Sequence, residues 1–314
     1  MAQAFDPFVN SLNEKISKDL ENPLRIFNWS EDNEGFHRSL YKLKNLKKWP
    51  PIVIYLGGSQ EFYEKTFELK DFQTLKENER LFDNLYVQSL IMAFPETSQL
   101  VYTPYSYVKL DKDIKKMTPP KKGLSKQKLM EMSYKLFEWE VAEMVEKAKI
   151  QNSSLMLLST PLKLDTPPRE TCSHATTKGI QFKIEELFKR LEKGNFKDVY
   201  GQAEILSQKI LTHPEIHYLL GMAALNLGQT LKAKEALNLA TVYDCGLWRG
   251  NQVFNSIIER EAKENGMTFI DFNQLLNNSL GKNVLFIDEI YPQNFYYKKL
   301  VGLLAPRIKK ILGI

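Results

Sequence analysis

The stretch IVIYLGGS, residues 52–59, decides the fold of this chain. Its first five residues are apolar and mostly β-branched, which is typical of a buried strand. Two prolines precede the run and two glycines, Gly57 and Gly58, follow it. Glycines at this point permit a tight turn out of the strand. The stretch therefore predicts a strand that ends in a glycine turn, with Ser59 directly after it.

Helical and strand-like patterns alternate along most of the remaining chain. This alternation is typical of a parallel sheet covered by helices. The predicted fold class is α/β, a parallel sheet flanked by helices, with an α-helical insertion where the alternation stops. The predicted helices lie at 78–94, 124–149, 253–265 and 295–312, and the further strands at 100–103, 154–159, 268–271 and 284–287.

The pattern also predicts domain bounds. Residues 1–50 are polar with scattered aromatic side chains, and we expect an irregular segment there. The α/β domain spans 51–178 and 244–314, and the helical insertion spans 179–243. Within the insertion, LLGMAALNLGQTLKAKEAL (residues 219–237) resembles the body of one tetratricopeptide repeat, whose period is about 34 residues. Because fewer than about three repeats seldom stand alone, we expect the insertion to dock on the α/β domain.

Composition argues against several kinds of site. The formal net charge of +5 is small for 314 residues, and no zinc spacing or aromatic-basic signature accompanies it, so nucleic-acid binding is not expected. No cofactor is predicted. His213 and His217 are four residues apart, but Pro214 lies between them and no acidic residue or cysteine completes a metal site, so we expect a structural role. Cys172 and Cys245 are predicted to be separate thiols, unless the fold brings them together.

The sequence leaves the cellular location open. No apolar run approaches the ~18 residues that span a bilayer. Residues 1–10 lack the basic and apolar regions of a signal peptide. A periplasmic or cell-envelope location would need a leader or anchor outside this sequence, and a cytoplasmic location is the alternative.

Three blocks of the chain together resemble the SGNH (GDSL-like) hydrolases, in the branch that carries tetratricopeptide repeats. The first is the strand that ends in Gly57-Gly58-Ser59. The second, DCGLWRGNQVFNSIIEREAKENGMTFIDF (residues 244–272), resembles the segment after the helical insertion. The third, VLFIDEIYPQNFYYKKLVGLLAPRI (residues 284–308), resembles the last block of the family, with Asp288 and Pro292 in the matching places.

The resemblance implies catalytic roles and one departure from them. It places the nucleophile at Ser59 and the orienting carboxylate at Asp288. The position of the catalytic histidine is occupied by Tyr291. A serine hydroxyl needs a base within hydrogen-bond reach. Tyrosine, with an unperturbed pKa of about 10 against ~6.5 for histidine, is a poor base at neutral pH.

The oxyanion hole that the resemblance implies is also altered. The family supplies backbone and asparagine donors, and its tetratricopeptide branch has Tyr-Thr-Gly-x-Asn-Glu after the second strand. This chain reads YTPYSY at 102–107, so Pro104 lacks the N–H that glycine would offer, and Ser106 replaces asparagine. Gly58 is the remaining pocket residue of the first block. Loss of one such donor costs roughly 10²–10³ in rate.

These departures favour an SGNH-like protein with a degenerate site that binds a ligand or partner rather than hydrolysing esters. The ligand classes that the resemblance implies are acyl or acetyl esters of envelope lipids or glycans. One alternative is an active esterase with a non-standard triad, in which His174, in the segment after the third predicted strand, supplies the base. Another alternative is a scaffold that recruits a protein partner through the helical insertion. An exposed loop position is the simpler interpretation of His174.

Overall fold

The computed structural model describes residues 2–18, 25–30, 34–62, 123–172 and 177–314. None of the helices in these ranges is both long enough and apolar enough to cross a bilayer. The helices are α1 (Ala2–Ser17), α2 (Phe36–Lys44), α3 (Gly123–Ile150), α4 (Lys178–Glu192), α5 (Phe196–Lys209), α6 (Pro214–Asn226), α7 (Thr230–Tyr243), α8 (Gln252–Glu264), α9 (Phe272–Asn277) and α10 (Asn294–Leu312). The strands are β1 (Ile52–Leu56), β2 (Ser154–Leu158) and β3 (Thr268–Ile270).

The three strands form one parallel sheet in the order β1-β2-β3. Ile54 pairs with Met156, and Leu157 pairs with Phe269. The prediction of an α/β chain with a parallel sheet and flanking helices is confirmed at this coarse level. The strand at 52–56 is confirmed, as are the strands that begin at 154 and 268. The predicted helix at 78–94 and strand at 100–103 lie outside the described residues.

The sheet separates two hydrophobic cores, because successive side chains of a strand point to opposite faces. Met156 and Leu158 belong to the core on one face, and Leu155 and Leu157 to the core on the other. The first core also contains residues of α1, α9 and α10, and the second contains residues of α2, α3 and α8. Burial on both faces explains why β2 is a continuous apolar run.

The prediction of an irregular segment at 1–50 is wrong for the described residues, because α1 and α2 lie there. Leu12 and Ile16 of α1 are buried in the first core, and Phe36 and Leu40 of α2 are buried in the second. The apolar residues of each helix recur at helical spacing, but the polar composition of residues 1–50 obscured that pattern. Packing against the sheet layers supplies the burial that stabilises such short amphipathic helices.

Residues 178–243 are helical and form two consecutive hairpins, α4–α5 and α6–α7. The hairpins enclose a small core of their own. Gly221 allows α6 and α7 to approach closely, since a Cβ there would lie 2.6 Å from Leu237 Cγ. Tyr218, Leu237 and Ala240 belong to the same core as β2, so α6 and α7 pack against the sheet layer. The exact domain bounds and the tetratricopeptide assignment stay predictions.

Candidate functional site

The carboxyl ends of the three strands meet at one edge of the sheet because the strands are parallel. Gly57 follows β1, Ser159 follows β2 and Asp271 follows β3. Ligands of open α/β sheets bind in the crevice outside this edge. We therefore describe this edge as the candidate site.

The turn after β1, residues 57–61, is held by a carboxylate. Glu61 Oε1 accepts hydrogen bonds from Gly58 N at 3.1 Å and from the Tyr55 hydroxyl at 3.3 Å, and Glu61 Oε2 accepts one from Phe36 N at 2.9 Å. Gly58 has φ +97°, and a Cβ there would lie 2.3 Å from Thr160 Oγ1. We call residues 57–61 the β1 turn. Its backbone is adapted to glycine, and its Gly58 N–H is already bonded.

Ser59 in the β1 turn is half-buried and makes no hydrogen bond with any described residue. The loop before α8 packs directly on it. A Cβ at Gly250 would lie 2.1 Å from Gly58 O and 3.2 Å from Ser59 Cα. Only a glycine at position 250 lets the two backbones approach so closely. Among the described residues, the hydroxyl therefore has no bonded base of the kind that a serine nucleophile needs.

The polar side chains after β2 and β3 bond to one another and to backbone. Ser159 Oγ donates to Asp271 Oδ1 at 2.8 Å and accepts from Asn273 N at 2.9 Å. Asn255 of α8 bonds both backbone groups of Thr160, with Oδ1 accepting from Thr160 N at 2.7 Å and Nδ2 donating to Thr160 O at 3.0 Å. The Thr160 hydroxyl is buried and has no hydrogen-bond partner in the described part of the chain. Most polar groups here therefore fix the loops.

A buried aspartate, Asp244, joins the loop after β2 to the loop before α8. Its Oδ1 accepts from the backbone N–H groups of Arg169, Glu170 and Gly246 at 3.0–3.2 Å. Its Oδ2 accepts from Trp248 Nε1 at 2.8 Å. The Arg169 guanidinium lies 3.9 Å from the centroid of the Trp248 ring. Asp244 is the first residue of the second block of the resemblance, but nothing in the sequence indicates that it organises both loops.

Cys172 and Cys245 form a disulfide with a Cα–Cα distance of 6.0 Å. The prediction of two separate thiols is therefore wrong. Cys245 N donates to Glu170 O at 3.2 Å, and Thr171 and Asp244 form an antiparallel bridge beside the disulfide. These contacts align two segments that lie 73 residues apart. The disulfide joins the same two loops as Asp244.

The C-terminal block forms a turn where a strand was predicted. Residues 284–287 are not a strand, and that prediction is wrong. Instead, Asp288 Oδ1 accepts from Ile290 N at 2.8 Å and Tyr291 N at 2.7 Å, and Ile287 N donates to Tyr291 O at 2.7 Å. We call residues 287–291 the 288 turn. An aspartate that bonds the backbone two and three residues ahead favours a turn over a strand.

Asp288 is exposed, and no hydrogen bond joins it to Ser59. Burial raises the pKa of Tyr297, and nearby Tyr291 and Asp288 raise it further. An ion pair between Arg169 and Glu289 links the 288 turn to the loop after β2. The assignment of Ser59, Asp288 and Tyr291 to one catalytic site stays a prediction. Pro104, Ser106 and His174 lie outside the described residues.

The described histidines have other environments. His37 of α2 forms a buried pair with Glu140 of α3 through Nδ1. Burial, together with the neighbouring His217, lowers the pKa of His213 to about 4. His217 Nε2 lies 2.7 Å from Leu211 O. Among the described residues, no group of three or more histidine, cysteine or acidic side chains is placed to hold a metal ion.

The aromatic side chains beside the β1 turn were not identified from the sequence as part of a site. Phe62, Tyr134 and Phe254 pack edge to face, with ring centroids 5.1–6.2 Å apart. Asn251 Nδ2 donates to the Tyr134 hydroxyl at 2.6 Å, and burial raises the pKa of that hydroxyl. These residues come from three distant segments, so local sequence contains no signal of their proximity.

No family model matches the chain, and neither curated proteins nor solved structures include a match. The likeness to SGNH hydrolases therefore rests on the three blocks of sequence alone.

Proposed function

We propose that the chain is an SGNH-hydrolase-like protein whose strand-edge site binds an acyl or acetyl ester of a lipid or glycan without hydrolysing it. The observation that carries this proposal is the state of Ser59. It lies at the carboxyl end of β1 and makes no hydrogen bond with a described residue. A serine in that position with no bonded base remains a weak nucleophile.

The other groups that the family uses are engaged elsewhere or replaced. Asp288 Oδ1 bonds the backbone of its own turn. Tyr291 stands in place of the histidine and has an unperturbed pKa of about 10, which makes it a poor base at neutral pH. His37 is paired with Glu140 between α2 and α3. These contacts support binding without proton removal from Ser59.

The Gly58 N–H also supports a non-hydrolytic site. The resemblance places Gly58 in the pocket, but its N–H donates to Glu61 Oε1 at 3.1 Å. Preorganised donors must point at the oxyanion to stabilise the transition state. A donor held by a carboxylate in its own turn does not serve that purpose.

The Cys172–Cys245 disulfide supports an oxidising compartment for this function. Structural disulfides persist in the periplasm and outside the cell, whereas cytosolic thiols are kept reduced. Of the two locations that the sequence left open, the disulfide favours the cell envelope. Envelope lipids and glycans are also the ligands that the resemblance implies.

The proposal is tested by comparing wild type with Ser59→Ala and Ser59→Leu. With p-nitrophenyl acetate and butyrate at neutral pH, we expect wild type and Ser59→Ala to have rates within about twofold of each other, because no described residue is bonded to Ser59 as a base. Calorimetric titration with an O-acetylated oligosaccharide should show binding that Ser59→Leu weakens by steric block. Ester turnover well above that of Ser59→Ala would favour the active esterase instead, and His174→Ala would then test its base.

Protein recruitment through the insertion is a second candidate function, supported by a different observation. Phe182, Leu211 and Leu231 are large apolar side chains that are exposed on the helical hairpins. Apolar side chains of this size, when they form a contiguous patch, mark interaction surfaces. A defined partner retained by wild type and lost by the Phe182→Ser/Leu231→Ser variant, with ester binding unchanged, would support this role.

A further inference from the structure

The C-terminal helix α10 has an unusual charge distribution. Its 19 residues contain five cationic side chains and no acidic one. The cations are Lys298, Lys299, Arg307, Lys309 and Lys310. On an ordinary solvent-exposed helix, charges of both signs alternate and pair along the surface. A helix with cations alone therefore has a surface that favours an anionic partner.

Most of these cations have no carboxylate partner. Lys298, Lys299 and Lys310 form no ion pair with any described residue. Lys299 instead extends over the Phe295 ring, with Nζ 4.5 Å from the ring centroid. Arg307 bonds only the carbonyl of Leu303, one turn earlier, at 3.3 Å. Their charge is therefore not neutralised within the described protein.

Exposed apolar side chains accompany the cations on α10 and at its two ends. Phe295 is 57% exposed, and Leu303, Ile311 and Ile314 are also exposed. The loop before the helix adds Val284, 75% exposed, and Ile287, 62% exposed. A single stripe at helical spacing on this helix contains Phe295, Lys299, Gly302, Pro306 and Lys310. The opposite face of α10 is buried in the core on one side of the sheet.

The neighbouring elements keep this face basic. Helix α1 packs along α10, and a Cβ at Gly302 would lie 4.0 Å from Lys15 Nζ, which adds another cation. The acidic residues in the 288 turn, which precedes the helix, have other partners. Asp288 bonds its own turn, and Glu289 pairs with Arg169. The stripe from residue 295 to residue 310 extends for about 22 Å along the helix axis, at ~1.5 Å per residue.

We propose that this outward face of α10 binds an anionic phospholipid surface. A helix with cations and apolar side chains on one exposed face lies in the membrane interface, where the apolar groups enter the headgroup boundary and the cations meet anionic lipids. The exposed Phe295 and Leu303 beside these cations favour a lipid surface, since apolar side chains are stabilised when they enter the headgroup boundary.

The test is co-sedimentation with vesicles, using charge-reversed variants of the full chain. We expect binding to phosphatidylcholine vesicles that contain about 30 mol % phosphatidylglycerol, and little binding to phosphatidylcholine alone. Lys298→Glu/Lys299→Glu should weaken binding by about tenfold or more, since each lysine near an anionic surface contributes roughly fivefold. Binding should also fall as salt screens the charges.

The matched control reverses two exposed lysines on α4, Lys178→Glu/Lys183→Glu, which changes net charge by the same amount. That variant should bind within about twofold of wild type, because its substitutions lie on another surface. Phe295→Ser tests the apolar contribution at constant charge and should weaken binding several-fold. Circular dichroism melting confirms that each variant is folded. The proposal is overturned by equal binding to neutral vesicles, by no binding to either kind, or by an equal loss in the α4 control.

Discussion

The β1 turn and the 288 turn carry the two ends of the family resemblance, but they differ in how they are held. The β1 turn is enclosed, since Gly250 packs on its backbone and Glu61 bonds its Gly58 N–H. The 288 turn is exposed, and it is stabilised by hydrogen bonds from its own backbone N–H groups to Asp288. A residue that matches a family motif therefore need not lie in a catalytic environment. Its surroundings decide whether it is part of a packed site or of an independent surface turn.

The largest effect is expected from removing the disulfide that joins the loops around the β1 turn. Cys172→Ser/Cys245→Ser should lower the free energy of unfolding by about 4 kcal/mol, because the crosslink restricts the unfolded chain across a long loop. The crosslinked residues lie 73 positions apart. Urea unfolding of wild type and variant, each under non-reducing conditions, measures the difference. If the variant matches wild type within ~1 kcal/mol, the disulfide does not restrain these loops.

The packing of the β1 turn is tested next with Gly250→Ala. The added Cβ would lie 2.1 Å from Gly58 O, and no side-chain rotation relieves a clash between backbones. We expect a loss of about 3 kcal/mol in unfolding free energy, at the upper end of over-packing effects. The control is Gly201→Ala within α5, where nothing lies within 4 Å of the new Cβ. That control should gain about 0.5–1 kcal/mol, since alanine favours a helix.

A test by pH addresses the helices that support the Asp244 loop. His213 is buried, neither of its ring nitrogens bonds a described residue, and its pKa is lowered to about 4. Between pH ~6.5 and pH ~4 the unfolded chain binds more protons than the folded chain. The free energy of unfolding is therefore highest above pH ~6.5 and falls as the pH decreases. We expect wild type to lose about 2 kcal/mol relative to His213→Leu between pH 7 and pH 4.5. Parallel stability curves for the two proteins would contradict this prediction.

The smallest effect is expected at the 288 turn. Asp288→Ala removes a carboxylate that bonds two backbone N–H groups at an exposed position. The loss should be about 0.5–1 kcal/mol, because water replaces those bonds. Ester hydrolysis should not change. A loss above ~3 kcal/mol, or a fall in any ester turnover, would show that Asp288 acts beyond its own turn.

Local periodicity accounts for what was predictable in the fold. The strands that begin at 52, 154 and 268 were confirmed, and so were the long helix α3 and the closing helix α10. Each has enough apolar residues in a row, or at helical spacing, to be recognised within its own window. Residues 284–287 have the same apolar content as a short strand. The backbone bonds of Asp288 favoured a turn instead, and that competition was not apparent from hydrophobicity.

The candidate site was predictable only in part. The position of Ser59 after a glycine turn followed from the sequence, whereas its lack of a hydrogen-bond partner did not. Glu61, Gly250 and Tyr134 were missed because their roles depend on contacts across the fold. Gly250 is 191 residues from Ser59, as the numbering shows, yet the two backbones are in direct contact. No spacing rule connects residues so far apart.

The sequence by itself determined the parallel α/β layering and the helical character of residues 179–243. It also has Tyr291 where the resemblance to SGNH hydrolases implies a histidine. These depend on residue type and local period, which any short window contains. Tertiary structure alone decided that α1 and α2 form and that Cys172 bonds Cys245. It also decided that Asp244 joins two loops beside Ser59. The physical reason is that burial and close approach depend on which segments the folded chain brings together.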